Sequence, residues 1–294
     1  MVTDSCCLIA GAFLYFKSFN YIDWWTIWNW KLDPYKCLLP LNENEIIIIT
    51  GDGHASIPNF QALIHYEKAG FFERCVYRIE NGETLWCYIR SKNKKIILAY
   101  KVTHDWRKVC LLKDCSNTAG HLAFEYLGQI LPCTLLKYNV LFFHGVLIEY
   151  QGWGIIISAP SGTGKTTHAR LWRDEKHALI LNGDRAVCRK IEGKWTGFGL
   201  PWSGTSGEQI NRSVPIKAVV VLERKEVNRA FPISGEEALA GVLSNLQCPA
   251  WDAQLTGKAM DLLDDFLRHV PVIRLQCRPD KEAVEVLEKA LLNL

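Results

Sequence analysis

The second half of the chain alternates between short apolar runs and longer segments with helical periodicity. Four apolar runs have the length and composition of buried strands: 154–157, 178–181, 217–222 and 271–276. Helical patterns lie between and after them, at 168–173, 235–247, 251–269 and from residue 281 onward. A hairpin is predicted at 186–198, around Glu192-Gly193. This alternation with antiparallel insertions predicts an α/β core with a mixed sheet.

The part of the chain before this core is rich in strand patterns. Strands are predicted at 45–50, 74–80, 83–90, 95–102 and 109–112. A two-residue turn at Asn81-Gly82 would place Tyr77 opposite Trp86, and it would keep Cys75 and Cys87 from facing each other directly. We therefore expect a small β-rich N-terminal region over residues 1–115, of unknown role, and a separate domain over residues 116–294.

A helix and two strands are predicted between these parts. The pattern at 117–131 indicates a helix, and Pro132 either ends it or starts the next link. Apolar runs at 140–143 and 146–150 flank His144-Gly145. On this pattern alone, His144 is typical of a packed core residue rather than a catalyst.

The N-terminus is apolar, but it does not have the pattern of a membrane segment. The run at 6–16 is too short for a span, and the chain start lacks the basic residues of a secretory signal. Four tryptophans follow, which we expect to pack against the body of the protein: Trp24, Trp25, Trp28 and Trp30.

Composition and charge narrow the class of protein. The chain has 294 residues, of which 49% are hydrophobic and 22% charged, with a net charge of +3. These values indicate a globular protein and give no basic surface for nucleic acid. The 11 cysteines follow no disulfide framework, so they are expected to be buried free thiols of a cytoplasmic protein. The spacings of His104, Cys110, Cys115 and His121 fit no zinc pattern.

The most informative stretch joins the strand at 154–157 to the next helix. It contains seven candidate nucleotide-binding residues: Ser161, Gly162, Thr163, Gly164, Lys165, Thr166 and Thr167. Glycines in such a loop let backbone N–H groups cradle phosphate oxygens, and the helix that follows directs its positive end to the same place. Lys165 would reach the outer phosphates of ATP, and the Thr166 hydroxyl would ligate Mg²⁺. The usual first glycine is Ala159 here, and the alternative is an ordinary turn with a surface lysine.

An acid follows the next apolar strand. Asp184, in Asn182-Gly183-Asp184-Arg185, could hold the metal through water or take the proton of an attacking hydroxyl, although Gly-Asp is also a common turn. Arg185 could stabilise phosphoryl charge or pair with an acid. The loop at 199–207 is rich in glycine and hydroxyl groups, and it could close over substrate or be a plain surface loop.

Taken together, His144-Gly145-Val146, the glycine loop and Asn182–Arg185 resemble the catalytic domain of HPr kinase/phosphorylase and its stand-alone relatives. The loop also resembles that of ATP-dependent phosphoenolpyruvate carboxykinases. The resemblance covers about residues 135–290 and implies a P-loop nucleotide-binding core of that type.

The resemblance also implies roles for particular residues. Lys165 and Thr166 would bind phosphate and Mg²⁺, and His144 would lie near the transferred phosphate. Asp184 would match the second of two consecutive acids, the first of which is Gly183 here. One carboxylate must then do the work of two, or another acid such as Glu208 assists.

The expected activity is that of an ATP-dependent serine kinase, with Mg²⁺ as cofactor and the hydroxyl of a peptide or protein as acceptor. Two alternatives remain open from the sequence. One is a phosphotransferase like phosphoenolpyruvate carboxykinase, and the other is a non-catalytic ATP-sensing module. We expect no nucleic acid partner, and the sequence permits an oligomer without requiring one.

Overall fold

A computed structural model of the chain describes residues 4–19, 28–42, 46–51, 55–116, 118 and 120–294. The chain divides into two compact units, Met1–Lys137 and Tyr138–Leu294. The sequence prediction placed the boundary after residue 115. The helix α1 (His121–Leu136) belongs to the first unit, since Tyr100 and Tyr126 hydroxyls join it to the strands there by hydrogen bonds of 2.9 and 3.1 Å.

The described residues of the first unit form one sheet of nine strands. The strands are β1 (Ser5–Ile9), β2 (Ala12–Phe19), β3 (Lys36–Cys37), β4 (Ile46–Gly51), β5 (Ala62–Ala69), β6 (Phe72–Arg78), β7 (Thr84–Arg90), β8 (Lys95–Val102) and β9 (Lys108–Asp114). Their order is β3-β1-β2-β4-β9-β8-β7-β6-β5, and β4 pairs parallel with both β2 and β9. The sheet is larger than the sequence predicted, because β1, β2, β3 and β5 lie outside the predicted strands.

The hairpin between β6 and β7 has a different register from the predicted one. Its turn contains three residues, Glu80–Gly82, with Asn81 at φ 58° and Gly82 at φ 72°. The extra residue shifts the pairing by one position, so Cys75 lies opposite Cys87 and Tyr77 lies opposite Leu85. The predicted pairing of Tyr77 with Trp86 was wrong for this reason.

Buried aromatic side chains hold α1 against the described part of this unit. Trp28 is fully buried, donates through Nε1 to the Gly120 carbonyl at 3.0 Å and meets Phe16 and Phe124 edge to face. Its predicted packing is confirmed, whereas Trp30 is 75% exposed. Trp24 and Trp25 lie outside the described residues.

Pro132 lies inside α1 and does not end it. The residues after it, Cys133, Leu135 and Leu136, are all buried. Burial of this last turn offsets the hydrogen bond that a proline removes from a helix interior.

The second unit is a mixed α/β fold, as predicted. Its strands are β10 (Val140–Tyr150), β11 (Trp153–Ser158), β12 (Leu179–Asn182), β13 (Arg185–Ile191), β14 (Lys194–Phe198), β15 (Ser213–Arg224), β16 (Arg229–Ile233) and β17 (Val272–Cys277). β13 and β14 lie between the first halves of β10 and β15. The second halves of β10 and β15 both pair with β11, and the sheet continues from β15 to β17 and β16. The long strands β10 and β15 therefore join these two groups of strands.

The predicted strand pair around His144-Gly145 is one continuous strand, β10. Gly145 tolerates the close approach of β11, because a Cβ there would lie 2.9 Å from the Ile157 carbonyl oxygen. Four helices complete the unit: α2 (Lys165–Lys176), α3 (Gly235–Leu243), α4 (Ala253–His269) and α5 (Lys281–Leu292). Trp172 of α2 and Leu287 of α5 are fully buried in the core they share with β11 and β15.

Two further predictions concern the burial of the cysteines and the absence of a membrane span. All 11 cysteines lie within the described ranges and none forms a disulfide. Cys115 is exposed, and Cys37, Cys110 and Cys248 are half-buried, so the prediction that all are buried was wrong for these four. No helix in the described part of the chain is long and apolar enough to cross a membrane.

Candidate functional site

The candidate site lies where several strands of the second unit end. Strands β11, β12, β15 and β17 run in one direction, because β10 is antiparallel to β11 and β12, and β15 pairs parallel with β11 and β17. The antiparallel β10 carries Gly145 to the same edge, opposite Ser158. Ligands of open α/β sheets bind beyond the carboxyl ends of the strands, so this edge is the place to look for a site.

The glycine loop, residues 159–164, joins β11 to α2 at this edge. Gly162 and Gly164 have φ values of 78° and 111°, which favour glycine, and no atom lies within 4 Å of the point where a Cβ would project from either. Ala159 is fully buried and is not among the residues with positive φ, so alanine is accommodated where a glycine is usual. The loop thus faces open space at the N-terminus of a 12-residue helix.

Lys165 begins α2 and folds back over the loop. It is 8% exposed, and its ammonium donates to the carbonyl oxygens of Ala159 at 2.7 Å and Pro160 at 3.4 Å. Burial lowers the pKa of Lys165, while the carboxylate of Asp184 acts in the opposite direction. The ammonium of Lys165 and the carboxylate of Asp184 are therefore close enough to interact electrostatically.

Asp184 is held in place by a turn organised around Asn182. The fully buried Asn182 accepts hydrogen bonds at Oδ1 from the N–H groups of Asp184 (3.1 Å) and Arg185 (2.8 Å). Its amide nitrogen donates to the carbonyls of Leu200 and Trp202 at 3.1 and 3.0 Å. Asn182 therefore ties the acid to the loop that follows β14. The sequence motif Asn182–Arg185 did not predict this role of Asn182, for which the Asn-x-Asp spacing is the only sequence signal.

His144 approaches Asp184 from the antiparallel strand. Its Nδ1 lies 3.7 Å from Asp184 Oδ1, which is beyond hydrogen-bond distance. Burial lowers the pKa of His144, the positive charges of Lys165 and Arg185 lower it further, and Asp184 acts in the opposite direction. The imidazole is therefore neutral at pH 7. Arg185 is buried, and its Nε lies 3.7 Å from Asp184 Oδ2.

A second carboxylate, Glu208, lies beside the position where the first of two acids is missing. The Gly183 N–H donates to the Glu208 carbonyl at 3.1 Å, and Glu208 Oε2 is 3.4 Å from the point that a Cβ at residue 183 would occupy. Arg173 donates to Oε1 at 3.0 Å, and Arg170 lies 3.6 Å from Oε2. Oε2 is buried and accepts no hydrogen bond from the described residues. The sequence named Glu208 only as one acid that could assist.

The loop at 199–207 packs against the acid. Gly204 has φ 56°, and a Cβ there would lie 2.5 Å from Asp184 Oδ2. The Ser206 Oγ is 2.3 Å from the point that a Cβ of Gly183 would occupy. Trp202 and Ser203 are buried. The loop is therefore part of the candidate site rather than a plain surface loop.

The structure brings three of the candidate residues, His144, Lys165 and Asp184, to one place. Among the loop residues, Thr163 and Thr166 are half-buried, while Ser161, Gly162 and Thr167 are exposed. Within the described ranges, no group of three or more His, Cys, Asp and Glu side chains is placed to hold a metal ion. A metal here would rest on one or two carboxylates, a hydroxyl and a bound substrate, which is how Mg²⁺ is usually held.

Comparison with known proteins gives related sequences. The HPr kinase/phosphorylase of Halalkalibacterium halodurans is 24% identical over 170 residues, which are 56% of this chain and 49% of that protein. The enzyme of the same name from Geobacter sulfurreducens is 24% identical over 240 residues, or 79% of this chain and 66% of its own. The chain thus spans about half of the first relative's length. These relatives confirm the predicted resemblance.

Among solved structures, the HPr(Ser) kinase/phosphatase from Coxiella burnetii matches 52% of this chain and 88% of its own length, with 11% identity and a TM-score of 0.32. A family model described as SynChlorMet cassette protein ScmC matches residues 109–277. Because this match covers more than half of the 294 residues, the chain belongs to the family of the SynChlorMet cassette protein ScmC.

Proposed function

We propose that this protein is a Mg-ATP-dependent phosphotransferase that acts on a hydroxyl, in the first place a serine of a peptide or protein. The observation that carries the proposal is the convergence of Lys165, Asp184 and His144 around an open glycine loop at the carboxyl edge of the sheet. The likeness to proteins named HPr kinase/phosphorylase supports it. Residues 116–294 would carry the activity as a P-loop domain.

The glycine loop and Lys165 fit the phosphates of a nucleoside triphosphate. The space in front of Gly162 and Gly164 is open, and the two positive φ values direct the loop as a phosphate cradle requires. The ammonium of Lys165 is held by two loop carbonyls, which are partners that phosphate oxygens would replace with a gain in charge complementarity. We assign ATP to this loop, with Ser161 to Thr167 as its contacts.

The residues also fit Mg²⁺. The Thr166 hydroxyl and the Asp184 carboxylate would hold the ion together with nucleotide oxygens, and Glu208 would supply the second carboxylate. When bound, the ion would neutralise charge on the transferred phosphoryl group. Arg170 and Arg173 both contact Glu208, and its Oε2 remains open to a further hydrogen bond.

Each of the three converging residues has a distinct role in phosphoryl transfer. The Asp184 carboxylate accepts the proton of the acceptor hydroxyl, whose oxygen bonds to the terminal phosphorus of ATP as the bond to the ADP oxygen breaks. Lys165 and the loop N–H groups stabilise the charge that develops on the phosphoryl oxygens. His144 is neutral, so it can lie beside Lys165 without adding repulsion and can hydrogen-bond the acceptor or the phosphoryl group.

The test follows ADP formation from Mg-ATP, with and without a pool of Ser- and Thr-containing peptides, for the wild type and Asp184→Asn. We expect peptides to stimulate ADP release and Asp184→Asn to reduce the stimulated rate by about 10²–10⁴-fold, as loss of a general base does. Binding of ATP without stimulation by any acceptor would favour the ATP-sensing module. Release of CO₂ from oxaloacetate would favour the carboxykinase-like reaction.

A further inference from the structure

A small cavity lies beside the glycine loop on the side away from Asp184. Its volume is about 90 Å³. It is bounded by the end of the loop and the first turn of α2, by Leu222 and Arg224 at the end of β15, and by Cys277 and Pro279 at the end of β17. The cavity is therefore at the same carboxyl edge, over the neighbouring parallel strands.

His168 of α2 lines this cavity and has an unsatisfied ring nitrogen. The side chain is 2% exposed, and its Nε2 accepts a hydrogen bond from Trp172 Nε1 at 3.2 Å. An indole N–H can only donate, so Nε2 is the unprotonated nitrogen and Nδ1 carries the proton. Nδ1 is buried and has no hydrogen-bond partner among the described residues. Because Nε2 accepts the bond from Trp172 and only Nδ1 carries a proton, the ring is a neutral donor.

The residues around His168 Nδ1 provide surfaces that suit a flat heterocyclic ring. Leu222 and Pro279 provide apolar surface, and the exposed guanidinium of Arg224 lies at the rim, where its Nη2 is 3.5 Å from the Thr163 carbonyl oxygen. Arginine stacks well on flat rings. Nucleobases combine apolar faces with acceptor nitrogens at their edges. The volume admits the edge of a base, and the remainder would lie over the exposed rim.

We propose that this cavity binds the nucleobase of the nucleoside triphosphate, and that the His168 Nδ1–H donates to an acceptor atom at the edge of the base. The assignment rests on the proposed function, because the phosphates must occupy the glycine loop for the nucleoside to reach the cavity. Thr163, Gly164 and Thr167 of the proposed phosphate-binding stretch line the cavity together with His168, so the two parts of the site adjoin. His168 is then a residue that distinguishes a nucleotide from a bare phosphate chain.

Three probes separate the parts of the ligand in the wild type: ATP, ribose 5-triphosphate and tripolyphosphate, each titrated calorimetrically with Mg²⁺. ATP is expected to bind at least about tenfold more tightly than either probe without a base. If tripolyphosphate does not bind at all, the proposed function fails. If all three bind equally, the nucleotide site stands and this inference is overturned.

Two substitutions of the histidine localise the effect. In His168→Gln the side-chain amide falls near the position of Nε2 and the Nδ1 donor is lost, whereas in His168→Asn a donor remains near the position of Nδ1 and the acceptor for Trp172 is lost. We expect His168→Gln to weaken ATP binding about tenfold, as loss of one buried hydrogen bond does, and to leave tripolyphosphate binding unchanged. His168→Asn should keep ATP affinity within about threefold of the wild type.

A third variant does not depend on the histidine. Cys277→Leu places extra methyl groups in the cavity and should weaken ATP binding relative to tripolyphosphate. If both His168→Gln and Cys277→Leu fold and bind ATP with wild-type affinity, the cavity holds water only and the inference is overturned.

Discussion

The two faces of helix α2 differ in how they serve the two halves of the proposed nucleotide site. On one face, Thr166, Arg170 and Arg173 follow at spacings of a helical stripe, and both arginines reach Glu208. The two arginine side chains are charged and partly exposed. On the other face, His168 and Trp172 are 2% and 0% exposed and form one hydrogen bond with each other. Ion pairs with Glu208 hold the side chains of the first face, whereas burial in the core holds those of the second.

This difference teaches that the same helix can position a ligand in two ways. Partly exposed ion pairs contribute little to stability, so the arginine face can exchange partners at low cost. A buried side chain in a close-packed core cannot move without cost, so the histidine face is a fixed surface. The phosphate and metal half of the site would then adapt to its ligand, and the nucleoside half would select it.

The largest effect is expected at Lys165, which stands where the two faces meet. Lys165→Ala should lower phosphoryl transfer by at least about 10³-fold, because a buried charge that stabilises the transition state is lost. Lys176→Ala at the other end of the same helix is the matched control, since Lys176 pairs with Glu288 away from the loop. Rates are measured as ADP release. Wild-type activity in Lys165→Ala would remove the basis of the proposed site.

The next effect tests the charged face. Glu208→Gln should raise the Mg²⁺ concentration needed for half-maximal nucleotide binding by about 10–100-fold, because a carboxylate that supports the ion becomes neutral. Titration of ADP binding against Mg²⁺ measures this without turnover.

Asp174→Asn is the control for that measurement. Asp174 pairs with the same Arg173 at 2.9 Å but lies on the exposed side, away from Gly183. It should leave the Mg²⁺ requirement unchanged. Equal effects of the two substitutions would mean that Glu208 acts only by balancing the arginine charge, and the comparison of the two faces would then lose its functional meaning.

Local patterns predicted the parts of the site that are continuous in the chain. Strand, glycine loop and helix lie within one stretch, so the position of Lys165 could be predicted from sequence, and so could the turn at Asp184. The register of the hairpin at Asn81-Gly82 could not, because asparagine and glycine at positive φ suit two- and three-residue turns alike. The continuity of β10 was missed because His144-Gly145 has the composition of a turn, although a histidine and a glycine both fit a strand.

The tertiary partners of the site were not predictable. Glu208 is placed by a backbone hydrogen bond to Gly183 and by two arginines of another element, and none of these contacts has a local sequence signal. His168 is buried beside the ends of β15 and β17, and helical periodicity alone does not predict that these strand ends lie next to it. For both Glu208 and His168, the contacts available to the side chain depend on tertiary neighbours that are distant in the sequence.

A smaller effect tests how tightly the loop at 199–207 is fitted to the acid. Gly183→Ala should destabilise the protein by about 1–3 kcal/mol, because the new Cβ would lie 2.3 Å from Ser206 Oγ and 2.6 Å from Ser206 Cβ. Denaturant unfolding measures the change. Ser206→Gly in the same chain should recover most of the loss, and additivity of the two substitutions would contradict the proposed steric contact.

The smallest expected effect is the contribution of the buried His168 to the pH dependence of stability. The unfolded chain takes up a proton on His168 near its usual pKa of 6.5, whereas the folded protein does so only near 4. Between these values the unfolded state binds more protons, so stability is full above pH 6.5 and falls as the pH decreases below it. Between pH 7.5 and 5.5 the loss should be about 1 kcal/mol. Urea unfolding of the wild type and His168→Gln at both pH values measures it, since the variant lacks this titration. A pH dependence that is the same in both proteins would mean that His168 is hydrated in the folded state, and α2 would then have no fixed face to set against the charged one.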